Sequence, residues 1–160
     1  MGVTFGELEI SQKFVSVPVT VTEAQIVMFG GIIGNWAPIH LNDEFAARAH
    51  FAGRRVAHGE LTMALMVAAA TPLIYTSLGQ LGGTYKLRRP IFAGDTIYTE
   101  MEVLAKRPSK SRPGGIVNFG LKTYNQEGTF VAEGTVDFLV GNESYNLYSP
   151  KTPAGGSPSS

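Results

Sequence analysis

The sequence predicts an α+β domain in which one long buried helix is wrapped by an antiparallel β-sheet. From Gly59 onward, the run from Leu61 to Ala70 is apolar almost all round, which calls for burial on every side. At about ten to twelve residues the run is too short to span a bilayer. At least four strand-like segments follow, over 83–92, 96–106, 116–124 and 129–140. Gly94-Asp95, Pro113-Gly114-Gly115 and Gln126-Glu127-Gly128 punctuate them, and connections that short imply antiparallel pairing in a meander.

Taken in chain order, the Val-rich stretch from Lys13 to Val21 alternates imperfectly and reads as a strand, with Pro18 marking an edge or a bulge. Thr22 then has the character of an N-cap. Gln25, three residues on, completes a capping box, and Ile26, Val27, Phe29 and Ile33 supply an apolar face. Gly30, Gly31 and Gly34 weaken the end of this helix, which delivers the chain to a Pro-stiffened loop, Asn35-Trp36-Ala37-Pro38-Ile39-His40. A second short helix is expected over 41–49, with Asn42 or Asp43 at its start and Phe45 and Ala49 on one side. His50 to Arg55 reads as a polar connection with His50 in solvent, and Pro72 is expected to end or kink the central helix.

Bulk properties agree with a single domain over 1–141 followed by a flexible polar tail over 142–160. The chain has 160 residues, 44% hydrophobic and 16% charged, enough for one real core. Its 13 basic and 13 acidic residues cancel, so no global field favours nucleic acid or an anionic membrane. Zero cysteines exclude disulfides, thiolate chemistry and Cys-ligated metal. The first ten residues lack a basic-then-apolar layout, and a cytoplasmic location is expected. The tail ends in Thr-Pro-Ala-Gly-Gly-Ser-Pro-Ser-Ser, a composition that buries too little surface to order itself.

Two stretches carry chemistry. Imidazole is the side chain whose ordinary pKa lies near neutrality, so His40 in a stiff loop is a candidate proton carrier. Ala57-His58-Gly59 places a glycine amide at the start of the most hydrophobic helical run. Unpaired amides and the helix dipole both favour an anion there, and the missing side chain lets a carbonyl oxygen approach. His58 is expected to pack or hydrogen-bond beneath this turn, within reach of substrate. The three histidines have no metal-ligand spacing, so no metal is expected.

These residues resemble the MaoC-like family of (R)-specific enoyl-thioester hydratases and dehydratases, whose signature D-x-N-P-aliphatic-H is followed by His-Gly at the central helix. Pro38, Ile39 and His40 agree with it and Trp36 fills the variable place. Asn35 stands where the family has its catalytic Asp, and Ala37 where it has Asn. The resemblance extends over roughly 4–140, through Val21-Thr22-Glu23-Ala24, Phe45-Ala46, Arg89-Pro90-Ile91-Phe92-Ala93-Gly94-Asp95-Thr96, Lys110-Ser111-Arg112-Pro113-Gly114 and Asn125-Gln126-Glu127-Gly128. It implies the hot-dog fold, a dimer with itself or with a related chain, and reversible hydration of a 2-enoyl thioester to an (R)-3-hydroxyacyl thioester. Coenzyme A would enter only as part of the substrate, with no separate cofactor. Trp36 and Pro38 are expected beside the acyl group.

An amide takes up no proton at neutral pH, so Asn35 cannot be the base that the family's Asp is. Three explanations stand open. His40 can act alone as acid and base while Asn35 orients the water; Glu60, after Gly59, can replace the carboxylate if partial burial makes it a competent base; or the chain is the non-catalytic partner of a heteromeric dehydratase or a thioester-binding relative. A thioesterase using Glu60 is a further alternative. Lys86, Arg88, Arg89, Lys106, Arg107, Lys110 and Arg112 hold more than half of the basic residues in a short span. They are expected to form a local anion patch for coenzyme A phosphates or an acidic acyl carrier protein, with strand-edge charges that deter aggregation as the competing explanation.

Overall fold

The computed structural model describes residues 2–49, 53–73 and 76–143. His50 and residues 144–160 of the tail lie outside the described residues. Strands β1 (Lys13–Val15) and β2 (Val19–Thr20) precede helix α1 (Glu23–Ile33). Two short helices follow, α2 (Pro38–Leu41) and α3 (Asp43–Arg48), and then the central helix α4 (Gly59–Val67), which tightens into a 3-10 turn over Ala68–Leu73. Strands β3 (Ser77–Leu87), β4 (Thr96–Pro108), β5 (Gly115–Asn125) and β6 (Phe130–Val140) complete the chain.

Among the described residues the strands form one antiparallel sheet in the order β1-β4-β5-β6-β3, with β2 also on β4. Strands β4 to β6 are the meander that the hairpin punctuation predicts. β3 differs from expectation twice. It runs from Ser77 to Leu87 rather than over 83–92, and it sits beyond β6 as the far edge instead of beside β4. The amides of Arg88 and Arg89 still donate to the carbonyl of Val131, but the chain then leaves the sheet to serve another partner: the amide of Ala57 donates to the carbonyl of Ile91 at 2.7 Å, and Val56 bridges Phe92. The expected strand over 13–21 is split at Pro18, which has no N–H for the ladder.

Helix α1 begins with the capping box, Thr22 accepting from the amide of Gln25 and the Gln25 side chain accepting from that of Thr22. Its inward residues are Ile26 and Gly30, one turn apart; Val27 and Ile33, expected on the apolar face, are exposed with Met28 and Ile32. The expected helix over 41–49 starts at Asp43, where Asn42 caps it by accepting from the amide of Phe45. Its buried residue is Ala46, while Phe45 is exposed. Leu41 belongs instead to α2, with Pro38 at its first turn, so His40 rides on a helical turn rather than in a loop.

The main core lies between α4 and the sheet. Met66, Ala69 and Leu73 pack on Met101, Val103, Val117, Phe119, Leu121 and Val136, all buried. Burial of α4 on every side does not hold within one chain: Leu61, Thr62 and Met66 are buried, but Glu60, Ala64 and Ala68 are exposed. A single sheet covers one side of a helix, and the side left open carries alanines, whose burial would gain little. α-Helical winding stops at Val67, five residues ahead of Pro72, which lies in the 3-10 turn. A second cluster, Val21, Ile26, Ala57, Leu61, Ile91, Ile97 and Val131, ties α1 and the start of α4 to one end of the sheet. That cluster sets the site.

Candidate functional site

Three elements converge at the N-terminus of α4. α1 ends at Gly34, whose left-handed φ of 71° suits glycine. The chain then turns at Asn35, whose side-chain oxygen accepts from the amide of Ala37 at 3.2 Å. α2 carries His40 back against the strand-like segment before α4. Arg55 clamps the assembly from outside, pairing Glu23 of α1 at 2.5 Å and Asp43 of α3 at 2.7 Å.

His40 is half-buried, and its Nδ1 lies 2.8 Å from the carbonyl oxygen of Val56. A carbonyl only accepts, so Nδ1 carries the proton and Nε2 of the neutral ring keeps its lone pair. Burial pushes the pKa of His40 below its ordinary value; the nearby His58 adds to this, while the Val56 carbonyl and Glu60 pull the other way. The result is an imidazole that is unprotonated at neutral pH and has one nitrogen to offer.

His58 lies directly under His40. The rings stack with centroids 3.9 Å apart and planes 28° from parallel. His58 is 0% exposed and lies beneath His40, packed and hydrogen-bonded under the turn into α4. Its Nε2 donates to the carbonyl of Asn35 at 3.1 Å. His58 caps α4 without a side-chain bond to the helix, so the Gly59 amide, as the first of α4, has no acceptor within the helix. The side chain of Leu87 from β3 fills the space where a Cβ on Gly59 would stand.

The other expected residues divide. Trp36 is 64% exposed and its ring lies over Gly31; Pro38 is exposed one helical turn or less from His40. Glu60 is exposed in the first turn of α4, not partially buried, because its side of the helix faces outward while Leu61 and Thr62 face inward. The single anion patch does not form. Lys86 and Arg88 flank Leu87, the residue that meets Gly59, at the end of β3, and their side chains lie on the Glu133 side of the strand, where Arg88 is ion-paired with Glu133. Lys110 and Arg112 lie in the β4–β5 turn, at the opposite end of strands about 33 Å long. Lys106 is spent on the carbonyls of Phe5 and Leu8, at 3.0 and 2.5 Å. The charges are close in sequence but not in space.

Gly30 and Arg55 are the contributors that the sequence pattern left unnoticed. A Cβ on Gly30 would stand 3.1 Å from the Asn35 carbonyl and 3.2 Å from the His58 ring, so this glycine makes room for their contact. A glycine inside a capped helix was the available signal. Among the described residues no helix is long and apolar enough to cross a membrane.

Residues 7–125 match the family profile described as MaoC like domain. The chain is 34% identical over 93 residues to a 3-hydroxybutyryl-CoA dehydratase of Methylorubrum extorquens, covering 58% of this chain and 59% of that protein. It is 29% identical over 126 residues to an (R)-specific enoyl-CoA hydratase of Rhodospirillum rubrum, covering 76% and 81% of the two chains. Among solved structures, the R-hydratase PhaJ1 of Pseudomonas aeruginosa superposes with a TM-score of 0.77 at 30% identity, covering 97% of each chain. A Mycobacterium tuberculosis protein with a double hotdog fold superposes with a TM-score of 0.79 at 20% identity, covering 98% of this chain and 48% of that one. The fold is the hot-dog fold.

Proposed function

This chain belongs to the MaoC-like dehydratase domain family, and from that premise we propose that it interconverts a 2-enoyl thioester and an (R)-3-hydroxyacyl thioester, with His40 as both base and acid. The relatives' names support the reaction class. The observation that carries the residue-level reading is the free Nε2 of His40, fixed by the Val56 carbonyl on its other nitrogen, beside the open amide of Gly59.

In the hydration direction His40 Nε2 takes a proton from water as the water oxygen bonds to C3. The C2=C3 pair moves toward C1, and negative charge collects on the thioester oxygen, where the Gly59 amide and the α4 dipole stabilise it. C2 then takes the proton from His40, and the thioester carbonyl re-forms. The net change is the addition of water. Asn35, with its oxygen engaged by Ala37, offers its amide N–H groups to orient the water. Trp36 and Pro38 border the acyl group, and Lys86 and Arg88 meet the phosphates of coenzyme A or an acyl carrier's acidic surface. Lys110 and Arg112 are too distant for that role.

The open edge of β3 supports assembly with a second hot-dog chain. Eleven residues long, it leaves Leu81, Tyr85 and Leu87 exposed, with Leu87 against Gly59. Asn35, in place of a carboxylate, favours one second reading: a partner subunit whose related chain supplies the base. Turnover of a short trans-2-enoyl-CoA by the native chain alone, abolished in His40→Ala, supports the enzyme reading. No turnover alone, with activity gained on adding a related chain, supports the partner reading; release of free thiol instead would identify a thioesterase.

A further inference from the structure

We propose that His58 is a positioning residue for His40, holding the plane of the base and the Asn35 turn together from within the core. This rests on the reading of His40 as the proton carrier. His58 is fully buried, yet it touches both His40 and the Asn35 turn. Its ring stacks on that of His40 at 3.9 Å, its Nε2 donates to the Asn35 carbonyl at 3.1 Å, and its backbone carbonyl accepts the Thr62 amide at 3.1 Å in the first turn of α4. The side chain thereby links the base to the water-orienting turn, while the backbone of the same residue opens α4 just ahead of the Gly59 amide.

The surroundings are built for this placement. Phe29 of α1 packs on His58 with ring centroids 5.7 Å apart, and Gly30 removes the side chain that would press on both the ring and the Asn35 carbonyl. Among the described residues, His58 Nδ1 is the buried side-chain polar atom that lacks a partner. A ring serving only as filler would be better replaced by an apolar one, because an unsatisfied buried nitrogen costs stability. The imidazole retains two things an apolar ring loses: the donor to Asn35 and a flat polar surface under His40. Among the described residues the charged or titratable groups acting on His40 are His58, the N-cap of α4, and Glu60 in its first turn. Asp43 of α3 and Glu23 of α1 are occupied by Arg55. Burial is the largest cause of the lowered pKa of His40, and the His58 ring stacked beneath it acts in the same direction.

The test combines two readouts on the native chain and on His58→Gln, His58→Phe and Gly30→Ala. The first is NMR titration of the His40 imidazole, and the second is kcat and KM on a short trans-2-enoyl-CoA against pH. Gln keeps a donor for Asn35 but loses the stack. His40 should then titrate about half a unit or more higher, with kcat lowered about tenfold or more as the ring loses its fixed plane. Phe keeps the stack but loses the donor, so the titration should stay low while kcat falls. Gly30→Ala retains both rings and shifts His58 by a few tenths of an ångström; kcat should fall about threefold to tenfold at unchanged KM. If either His58 variant fails to fold, Gly30→Ala decides by the same criterion. An unchanged His40 titration in His58→Gln, or an unchanged kcat in Gly30→Ala, would overturn the proposal. A native chain without turnover removes the functional reading, and the titration alone then decides the inference.

Discussion

The two ends of the sheet are made of similar residues and behave differently. At the β4–β5 turn, Lys110 and Arg112 project from a tight loop closed by the Ser109 amide donating to the Gly114 carbonyl at 3.0 Å. At the other end, β3 stops at Leu87, the chain leaves the sheet to meet Ala57, and α1, α2 and α4 arrive together. One end satisfies its own backbone. The other leaves an α4 amide and a His40 nitrogen without a partner among the described residues, against a base of packed side chains. Chemistry belongs where polar groups are held in place but left without partners.

The largest expected effect separates the reactive end from the packed interior. His40→Ala should lower kcat/KM by about a hundred to ten-thousand-fold while shifting urea unfolding little, since the residue is half-buried. Phe119→Ala should do the reverse. Its ring is fully buried and meets Phe138 edge-on at 6.2 Å, so its removal should cost about 3–5 kcal/mol in urea unfolding.

Next in size is the carboxylate. Asn35→Asp places an anion beside the site, and opposite charge favours imidazolium. The acid limb of kcat/KM should therefore move to higher pH, and turnover should rise about tenfold or more as a second base becomes available. In the native chain His40 must be unprotonated to act, and its pKa lies below the ordinary value. Activity should fall as pH falls through that lowered pKa, with the midpoint of the limb below about 6.5; a midpoint above it would contradict the role of burial.

The smallest effect tests the comparison between the two ends directly. Arg88→Ala should raise KM for an acyl-CoA about threefold to tenfold through the loss of a phosphate contact. Lys110→Ala and Arg112→Ala should leave KM within about twofold, because exposed charges that far away are screened. Equal effects at both ends would mean that the thioester carrier reaches along the whole sheet.

Local signals in the sequence were legible. The Thr22–Gln25 capping box, Asn42 at the start of α3 and Pro18 between β1 and β2 act over a few residues and stand where the pattern puts them. The meander of β4 to β6 follows from its short turns. What could not be read was non-local. β3 pairs with β6, far along the chain, and nothing within 77–87 names that partner. Lys86 and Lys110 are near in sequence, but one strand, β4, carries the chain between them to the opposite end of the sheet. In the same way His40 and His58 were each identifiable, whereas their stacking depends on how α2 and α4 pack, which no spacing encodes.

The most direct test of the central claim is the rate at which the conjugated-thioester absorbance of a short trans-2-enoyl-CoA is lost, for the native chain beside His40→Ala. Steady loss with the native chain, and none above background with the variant, is the predicted result. Equal rates in both would show that the proton carrier lies elsewhere and would remove His40 from the centre of the mechanism.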